Sequence, residues 1–505
     1  MKKVILFICL IILLVVGVGR SYVDVTPVSN MNFEYNEGLI YSLESLPDTI
    51  SPSESLNKGE EDLVSNIFSG LVEVNEKGEP IPDLAMGWSI SDDGLEYTFK
   101  INEKNKWSNG TEVTAKDFQI FFRDLLSPDN EDYTSNELYS IYGVKDYREG
   151  KIDFSEVAIN SPDDYTLVLR MNNKDDNLLK NLAKPIYRLR DLNEPLDNYK
   201  SDFNEISYTG PYVIYDVTKD GFIRLKDNPY NSSQLEIKDI AFKEKDSDEI
   251  ELAAFNLEKV DILKNPPIIY SEDIGLYKDL SKYNNDTLKL MVVNSDKPEM
   301  AQGISNIMKV LISDSNILKN NLGEPYIKVV NNKEEIASIK NDGANSNYNV
   351  SESEKNNLKE AGKNTLKKVL SNNEVLKIVV GNNEEDKVLA NELKKVLDKE
   401  LSIKSIVKIY EEGIEEVIKS GEFNIAFGEF NLNEKDSENL KKEDIDKEEK
   451  KVEDNSEESE KETTSEKSNL SLVSLYFKND IWCKSPKVNY LFIDGNGNLI
   501  LKYSS

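Results

Sequence analysis

Alternating apolar and polar positions mark short strands in the first half of the chain. Glu96–Ile101 and Tyr165–Arg170 both alternate as expected of strands with one buried face. Asp92-Asp93-Gly94 supplies a turn signal beside the first of them. Thr114 then precedes apolar residues at three- and four-residue spacing, which predicts a helix with Thr114 as its N-cap. We therefore expect a mixed α+β structure from Gly38 to about Ile262.

The second half alternates apolar strands with a helix. Leu288–Val293 and Leu376–Val380 are apolar runs of strand length, and Val388–Leu401 carries apolar residues at helical spacing. Ile406–Ile409 and Asn424–Phe427 follow as further strands. The order strand, helix, strand, helix, strand predicts a parallel βαβ unit.

A strongly polar segment interrupts this pattern at residues 431–468. It holds 15 Asp or Glu, 8 Lys, 11 Ser, Thr or Asn and only 4 apolar residues. So little apolar surface cannot offset the entropy of ordering the chain, so we expect disorder or a solvated loop. A single charged helix is the alternative, because Lys and Glu favour helix. Strand-like sequence returns from Leu470 to Tyr503.

The N-terminus carries an apolar run of fifteen residues, Val4 to Val18, directly after Lys2 and Lys3. A positive flank followed by an apolar core is typical of an export signal. The run is shorter than the roughly 20 residues of an ordinary membrane-spanning helix. A cleaved signal peptide, an uncleaved signal anchor and a buried core helix are the alternatives, of which we expect the anchor.

Composition excludes several classes of function. Histidine is absent, which removes Ser-His-Asp triads, His-ligated zinc and imidazole pH switches. With 62 Lys and Arg against 93 Asp and Glu, the net charge of −31 repels nucleic-acid phosphates and anionic lipids. We expect no nucleic-acid partner, no metal, no cofactor and no enzymatic activity. Because Cys9 lies inside the N-terminal apolar run, we expect no disulfide with Cys483, which is interpreted as a packed single thiol.

Several motifs in the first half occur together in an order typical of one family. They are Asn66-Ile-Phe-Ser-Gly-Leu-Val72, Pro82-Asp-Leu-Ala85, Trp88, Ser91-Asp-Asp-Gly94, Tyr97-Thr-Phe99, Trp107-Ser-Asn-Gly110, Val113-Thr-Ala-Lys-Asp-Phe118, Tyr208-Thr-Gly-Pro-Tyr212 and Asn228-Pro-Tyr230. In order and spacing they resemble the extracytoplasmic solute-binding proteins of family 5, the oligopeptide-, dipeptide- and nickel-binding proteins of ABC importers. We interpret their aromatic residues as core and strand partners rather than ligand contacts.

The resemblance implies an α/β (mixed α+β), periplasmic-binding-protein-like fold, in which two hinged lobes carry an inserted third domain. The expected segments are a signal at 1–25, a tether at 26–37, lobe I at 38–62, 155–265 and 470–505, the inserted domain at 63–154, lobe II at 266–430 and the acidic insertion at 431–469. A first lobe built from separate segments accounts for the folded sequence after the acidic insertion. No bond is broken in such a protein, because its function is closure around a ligand held in hydrated pockets.

The resemblance also implies ligand contacts from both lobes. Those of the first lobe would follow Ser51-Pro52, and those of the second would follow the strand that ends at Phe427. Three tyrosines are candidate walls of the cleft, with core packing as the alternative for each. The candidate ligand-binding residues are Leu56, Asn57, Lys58, Tyr139, Tyr142, Glu429, Phe430, Asn431, Asn433 and Tyr476.

The sequence departs from the family at one of these positions. Family members usually carry an Asp that pairs with a peptide α-amino group, and Asn433 stands there in this chain. An amide cannot supply the full charge-assisted hydrogen bond to an ammonium. Glu429 is the candidate substitute, and a solvated glutamate at the edge of a loop is the alternative interpretation.

The function implied by the resemblance is that of an extracytoplasmic peptide-binding component of an ABC importer, which captures oligopeptides by hinge closure and delivers them to a membrane permease. The expected partners are an oligopeptide and the permease subunits. The protein is expected to be a monomer, anchored at the extracytoplasmic face of the cell membrane by residues 4–18. A degenerate homologue that acts as an envelope scaffold or sensor without transport is the alternative, favoured by Asn433 and the acidic insertion.

Overall fold

The computed structural model describes residues 38–53, 56, 58–231, 233–266, 280–315, 323–330, 350–371, 374–410, 417–418, 420–431 and 470–505. The predicted anchor and the acidic insertion beyond Asn431 lie outside these ranges. Leu39–Ser505 forms one structural unit. No helix among the described residues has both the length and the apolar character needed to cross a membrane.

The elements follow the predicted mixture of strands and helices. The strands are β1 (Leu39–Leu43), β2 (Val72–Val74), β3 (Pro80–Pro82), β4 (Ala85–Ile90), β5 (Glu96–Ile101), β6 (Ile159–Asp163), β7 (Thr166–Arg170), β8 (Tyr212–Val217), β9 (Ile223–Asp227), β10 (Asp239–Glu244), β11 (Ile262–Lys264), β12 (Leu280–Asn294), β13 (Gly323–Val330), β14 (Leu376–Val380), β15 (Ser405–Ile409), β16 (Ile425–Asn431) and β17 (Leu470–Lys484). The α-helices are α1 (Lys58–Ile67), α2 (Ala115–Leu125), α3 (Val144–Arg148), α4 (Leu178–Leu182), α5 (Tyr199–Asp202), α6 (Asp248–Asn256), α7 (Glu299–Asp314), α8 (Glu352–Val369) and α9 (Glu384–Lys395).

Most strands in the described ranges belong to a mixed sheet of 11 strands, in the order β15-β14-β16-β12-β17-β11-β1-β10-β9-β8, with β13 also paired to β17. The strands β4, β5, β7 and β6 form a separate antiparallel sheet. The predicted parallel βαβ unit is confirmed, because β14 runs parallel to both β15 and β16.

The buried apolar side chains include three large clusters, each named here after one of its strands. The β1 core includes Tyr41, Ile67, Phe242 and Trp482. The β5 core includes Phe99, Phe118, Leu167 and Leu189. The β14 core includes Met291, Ile378, Ile425 and Tyr476.

The packing also bears on the domain boundaries. Leu63 and Phe68 pack in the β1 core, although the inserted domain was expected to begin at 63. Val157 and Leu189 pack in the β5 core, beyond its expected end at 154. We therefore propose that the inserted domain extends from about 70 to about 190.

Local sequence signals account for several elements. The strand predicted at Glu96–Ile101 is β5. Thr114 caps α2 as predicted: its hydroxyl accepts from the Asp117 amide at 3.3 Å, and the Asp117 carboxylate accepts from the Thr114 amide at 2.7 Å. This capping box satisfies two amides that the first turn of a helix leaves without partners.

The family-like motifs have structural roles, and their aromatic residues lie in the core as predicted. Gly210, within Tyr208-Thr-Gly-Pro-Tyr212, donates its amide to the Ile67 carbonyl at 2.9 Å. A Cβ at this position would lie 2.4 Å from the Ile67 carbonyl carbon, so only glycine fits there. The aromatic Tyr97, Phe99 and Trp107 are buried in the β5 core, and Trp88 packs against it. Cys483 is the buried free thiol that was predicted.

Candidate functional site

Two long strands connect the β1 core with the β14 core. β17 pairs with β12 along nearly its whole length. On its other side, β17 pairs with β13 over its first part and with β11 over its last. Tyr476 of β17 accordingly packs in the β14 core and Trp482 in the β1 core. β12 and β17 are therefore the crossing strands of the fold.

Asn265, directly after β11, forms three hydrogen bonds with residues of β17. Its amide donates to the Ile481 carbonyl at 2.7 Å, its side-chain oxygen accepts from the Ile481 amide at 2.9 Å, and its side-chain nitrogen donates to Asp480 at 3.0 Å. Asn265 holds a left-handed backbone with φ of 48°. Such a conformation is uncommon outside glycine but is tolerated by asparagine. These hydrogen bonds fix the position of the chain where it leaves the β1 core toward β12.

A cluster of charged side chains lies beside the crossing strands, at the edge of the β14 core. This charged cluster consists of Lys289 on β12, Glu385 and Asp386 on α9, Glu429 on β16, and Tyr476 and Lys478 on β17. Register explains the assembly: Lys289 is directly opposite Glu429 on one neighbouring strand and Tyr476 on the other. The first turn of α9 contributes its acids because α9 follows β14, and a helix after a parallel strand begins near the carboxyl end of that strand.

The two lysines each bridge two carboxylates. Lys289 Nζ contacts Asp386 Oδ1 and lies 3.1 Å from Glu429 Oε1. Lys478 Nζ lies 2.8 Å from the same Glu429 oxygen and 3.3 Å from Glu385 Oε2. The Tyr476 hydroxyl donates to Glu385 Oε1. Glu429 is therefore held by two ammonium groups at once.

Burial and ion pairing act in opposite directions on these groups. Burial alone would raise the pKa of Glu429, but Lys289 and Lys478 outweigh it and hold the pKa below its usual range. Burial raises the pKa of Asp386, and contact with Lys289 offsets only part of this effect. Burial would lower the pKa of Lys478, but Glu385 and Glu429 raise it above the usual value. Glu429 and Lys478 thus remain ionised at neutral pH.

The structure brings Glu429 and Tyr476 together in the charged cluster, but it changes the setting of Glu429. The prediction that the strand ends at Phe427 is wrong, because β16 continues to Asn431. Glu429 is therefore a strand residue with two lysine partners rather than a glutamate on a loop. Phe430 and Asn431 lie on the same strand, opposite Leu288 and Thr287 of β12. Tyr476 is fully buried in the β14 core.

Among the described side chains, those of Tyr139, Tyr142 and Leu56 lie outside this cluster. Tyr139 packs against the β5 core, and Tyr142, in the same region of the chain, is 57% exposed. Leu56 packs against the β1 core, and Lys58 begins α1. Asn57 and Asn433 lie outside the described residues. Contact of these residues with a ligand stays a prediction.

Sequence reasoning missed Lys289, Glu385, Asp386 and Lys478. One signal was available for Lys289, because it is a charge inside the apolar run Leu288–Val293 and a fully buried lysine requires partners. The N-cap Asn383 similarly marks the start of α9. The partners themselves are set by pairing between distant strands, which a local pattern does not contain.

Comparison with known sequences supports the family suggested by the motifs. A family model described as "Bacterial extracellular solute-binding proteins, family 5 Middle" matches residues 79–441. The oligopeptide-binding protein OppA of Bacillus subtilis is 27% identical over 227 residues, which are 44% of this chain and 41% of that protein. The oligopeptide-binding protein AliB of Streptococcus pneumoniae is 31% identical over 230 residues, 43% of this chain and 34% of that protein. The matches thus span less than half the length of these curated relatives.

Solved structures share the fold across most of the chain. The substrate-binding domain of an oligopeptide ABC transporter from Bacillus anthracis superposes with a TM-score of 0.61 at 16% identity, covering 92% of this chain and 98% of that one. Listeria monocytogenes OppA bound to peptide gives a TM-score of 0.59 at 17% identity, covering 93% and 99%. The predicted α/β fold class of two-lobed binding proteins is confirmed. Since the family model matches most of its length, the chain belongs to the bacterial extracellular solute-binding proteins of family 5.

Proposed function

We propose that this protein captures oligopeptides outside the cytoplasmic membrane by closing about β12 and β17, and that it delivers them to the permease of an ABC importer. The observation that carries the proposal is the pair of crossing strands between the β1 and β14 cores. Rotation about two such strands is the ordinary means by which hinged binding proteins enclose a ligand.

The names of the relatives support peptide as the ligand class. Two of them are oligopeptide-binding proteins, and one solved neighbour contains a bound peptide. These descriptions favour ligand capture over the scaffold alternative. Membership of an extracellular family supports an extracytoplasmic location, and our proposal includes an anchor formed by residues 4–18, a monomeric state and the absence of catalysis.

The candidate site supports backbone recognition more than recognition of a single side chain. β16 carries the candidate residues Glu429 to Asn431 and pairs with the crossing strand β12. An extended peptide is held by main-chain hydrogen bonds whatever its sequence. We propose that the peptide backbone is held beside β16.

The test is thermal unfolding of the purified full chain with pooled peptides of three to eight residues. A ligand at 100 times its Kd stabilises the native state by about 2.7 kcal/mol, so a binding pool should raise the Tm by a measurable step. A mixture of free amino acids of the same composition is the control and should leave the Tm unchanged. No shift with any peptide pool would contradict the proposed function.

A further inference from the structure

The charged cluster has a sealed half and a half that faces solvent. The side chains of Lys289 and Asp386 are 0% and 9% exposed. Those of Lys478 and Glu429 are 26% and 36% exposed. Glu385, at 16%, lies on the same side as Lys478. A ligand that approaches β16 therefore meets Glu429, Lys478 and Glu385 before the other members.

In this outer half, an ammonium of the protein already lies between the two carboxylates. Lys478 Nζ is 2.8 Å from Glu429 and 3.3 Å from Glu385. A lysine ammonium has three hydrogen-bond donors, the same number as the α-ammonium of a peptide. Lys478 therefore supplies the interaction that a free peptide N-terminus would offer these carboxylates.

A ligand ammonium competes poorly with this lysine for the two carboxylates. Lys478 is attached to β17, which is fixed between β12 and β13, so its effective concentration at Glu429 is high. Lys289 contacts Glu429 from the buried side as well. Glu429 thus has two ammonium partners before any ligand arrives.

We propose that Lys478 makes peptide binding independent of a free α-amino group, so that peptides with blocked and free N-termini are bound alike. The inference rests on the proposed function and names the substrate class: peptides held without an anchor at the N-terminal charge. It assigns to Lys478 the role of a specificity-determining residue. If Lys478 only linked β17 to α9 through its ion pairs, its substitution would change the stability of the protein. The relative affinity for peptides with free and blocked N-termini would then stay the same.

The experiment compares matched pairs of one peptide, N-acetylated and with a free N-terminus, in binding titrations of the full chain. The wild-type Kd values of each pair should agree within about twofold, below the scale of a charge-assisted hydrogen bond. Lys478→Met removes the competing ammonium, and the free amine should then bind tighter than the acetylated form by about tenfold or more. Lys478→Arg keeps the charge and should keep the ratio near that of wild type.

Lys355 offers a matched control. It bridges Asp314 at 2.6 Å and Glu352 at 2.7 Å, on the helices α7 and α8, which contribute no member of the charged cluster. Lys355→Met should leave the ratio unchanged, which separates the local effect from a general loss of positive charge.

The wild-type measurement requires no variant to fold. A wild-type preference of tenfold or more for the free amine overturns the inference while leaving peptide binding established. An unchanged ratio in a folded Lys478→Met protein also overturns it. Failure of every peptide to bind the wild type contradicts the proposed function and removes this inference with it.

Discussion

Asp62 is a buried carboxyl group whose ionisation links stability to pH. It accepts hydrogen bonds from the Tyr41 hydroxyl and the Leu499 amide, each at 2.7 Å. Burial raises its pKa to about 7, and Lys264, Tyr41 and Leu499 offset only part of that effect. In the unfolded chain the same carboxyl has an ordinary pKa of about 3.9.

The folded protein therefore binds this proton more tightly than the unfolded chain, and stability should fall as pH rises from about 4 to 7. Above pH 7 the buried charge costs at most roughly 4 kcal/mol. Asp62→Asn cannot ionise and keeps an acceptor for Leu499, so it should be more stable than wild type at pH 8 and lose that advantage at pH 5. Urea unfolding at both pH values measures this difference.

The exposed Asp93 provides the comparison for Asp62. Its carboxylate accepts from the Ser91 hydroxyl and the Leu95 amide, which lower its pKa. Asp93→Asn should show no stability advantage at pH 8. If Asp62→Asn and wild type have parallel pH profiles, Asp62 does not carry the buried proton.

At the level of elements, Gly210 is where the β8 region meets the end of α1. An added Cβ would lie 2.4 Å from the Ile67 carbonyl carbon and 2.6 Å from the Phe68 nitrogen. Both neighbours are backbone atoms, so relief requires movement of α1 itself. Gly210→Ala should lower the free energy of unfolding by on the order of 3 kcal/mol, as overpacking of a core does.

Gly87 on β4 tests whether the loss comes from crowding. Apart from Gly87 and its two chain neighbours, no heavy atom lies within 4 Å of the Cβ that Gly87→Ala would add. Denaturant unfolding should show a large loss for Gly210→Ala and little change for Gly87→Ala. Equal effects would mean that the close approach to α1 is not what excludes a side chain.

Elements whose signal is local were predictable. Glu96–Ile101 and Leu376–Val380 have the bounds of β5 and β14, because strand periodicity is carried by neighbouring residues. The end of β16 was not predictable, because Gly428 to Asn431 do not form an apolar run. The strand continues there because β12 pairs with it, up to Thr287 opposite Asn431.

Only part of the candidate site could be predicted from the sequence. Glu429 was identified through the family resemblance, as a residue that follows the strand expected to end at Phe427. Its partners Lys289 and Lys478 are 140 and 49 residues away, brought to it by sheet register. The motifs revealed the family because they fix tight backbone packing such as that of Gly210, and they contain none of the charged cluster.

For the whole molecule, the proposed capture of peptide requires motion of the β14 core relative to the β5 and β1 cores about β12 and β17. β17 contributes Tyr476 to one side and Trp482 to the other. A ligand bound between them favours the closed state only by the contacts that closure adds. Peptide binding should therefore change the distance between the β14 core and the β5 and β1 cores.

Cysteine chemistry allows this distance to be measured. Cys483 is 1% exposed, and burial raises the pKa of its thiol to about 12, so it resists labelling. With Cys9→Ser removing the other thiol, a fluorophore pair can be placed by Ser89→Cys on β4 and Lys404→Cys beside β15. Lys368→Cys with Lys404→Cys keeps both labels at the β14 core and serves as the control pair.

Energy transfer between the Ser89 and Lys404 labels, measured as peptide is added to saturation, tests hinge closure most directly. If the hinge closes on peptide, the transfer efficiency should change in step with peptide occupancy, and it should stay constant in the Lys368 and Lys404 control. Unchanged efficiency at saturating peptide would contradict capture by hinge closure.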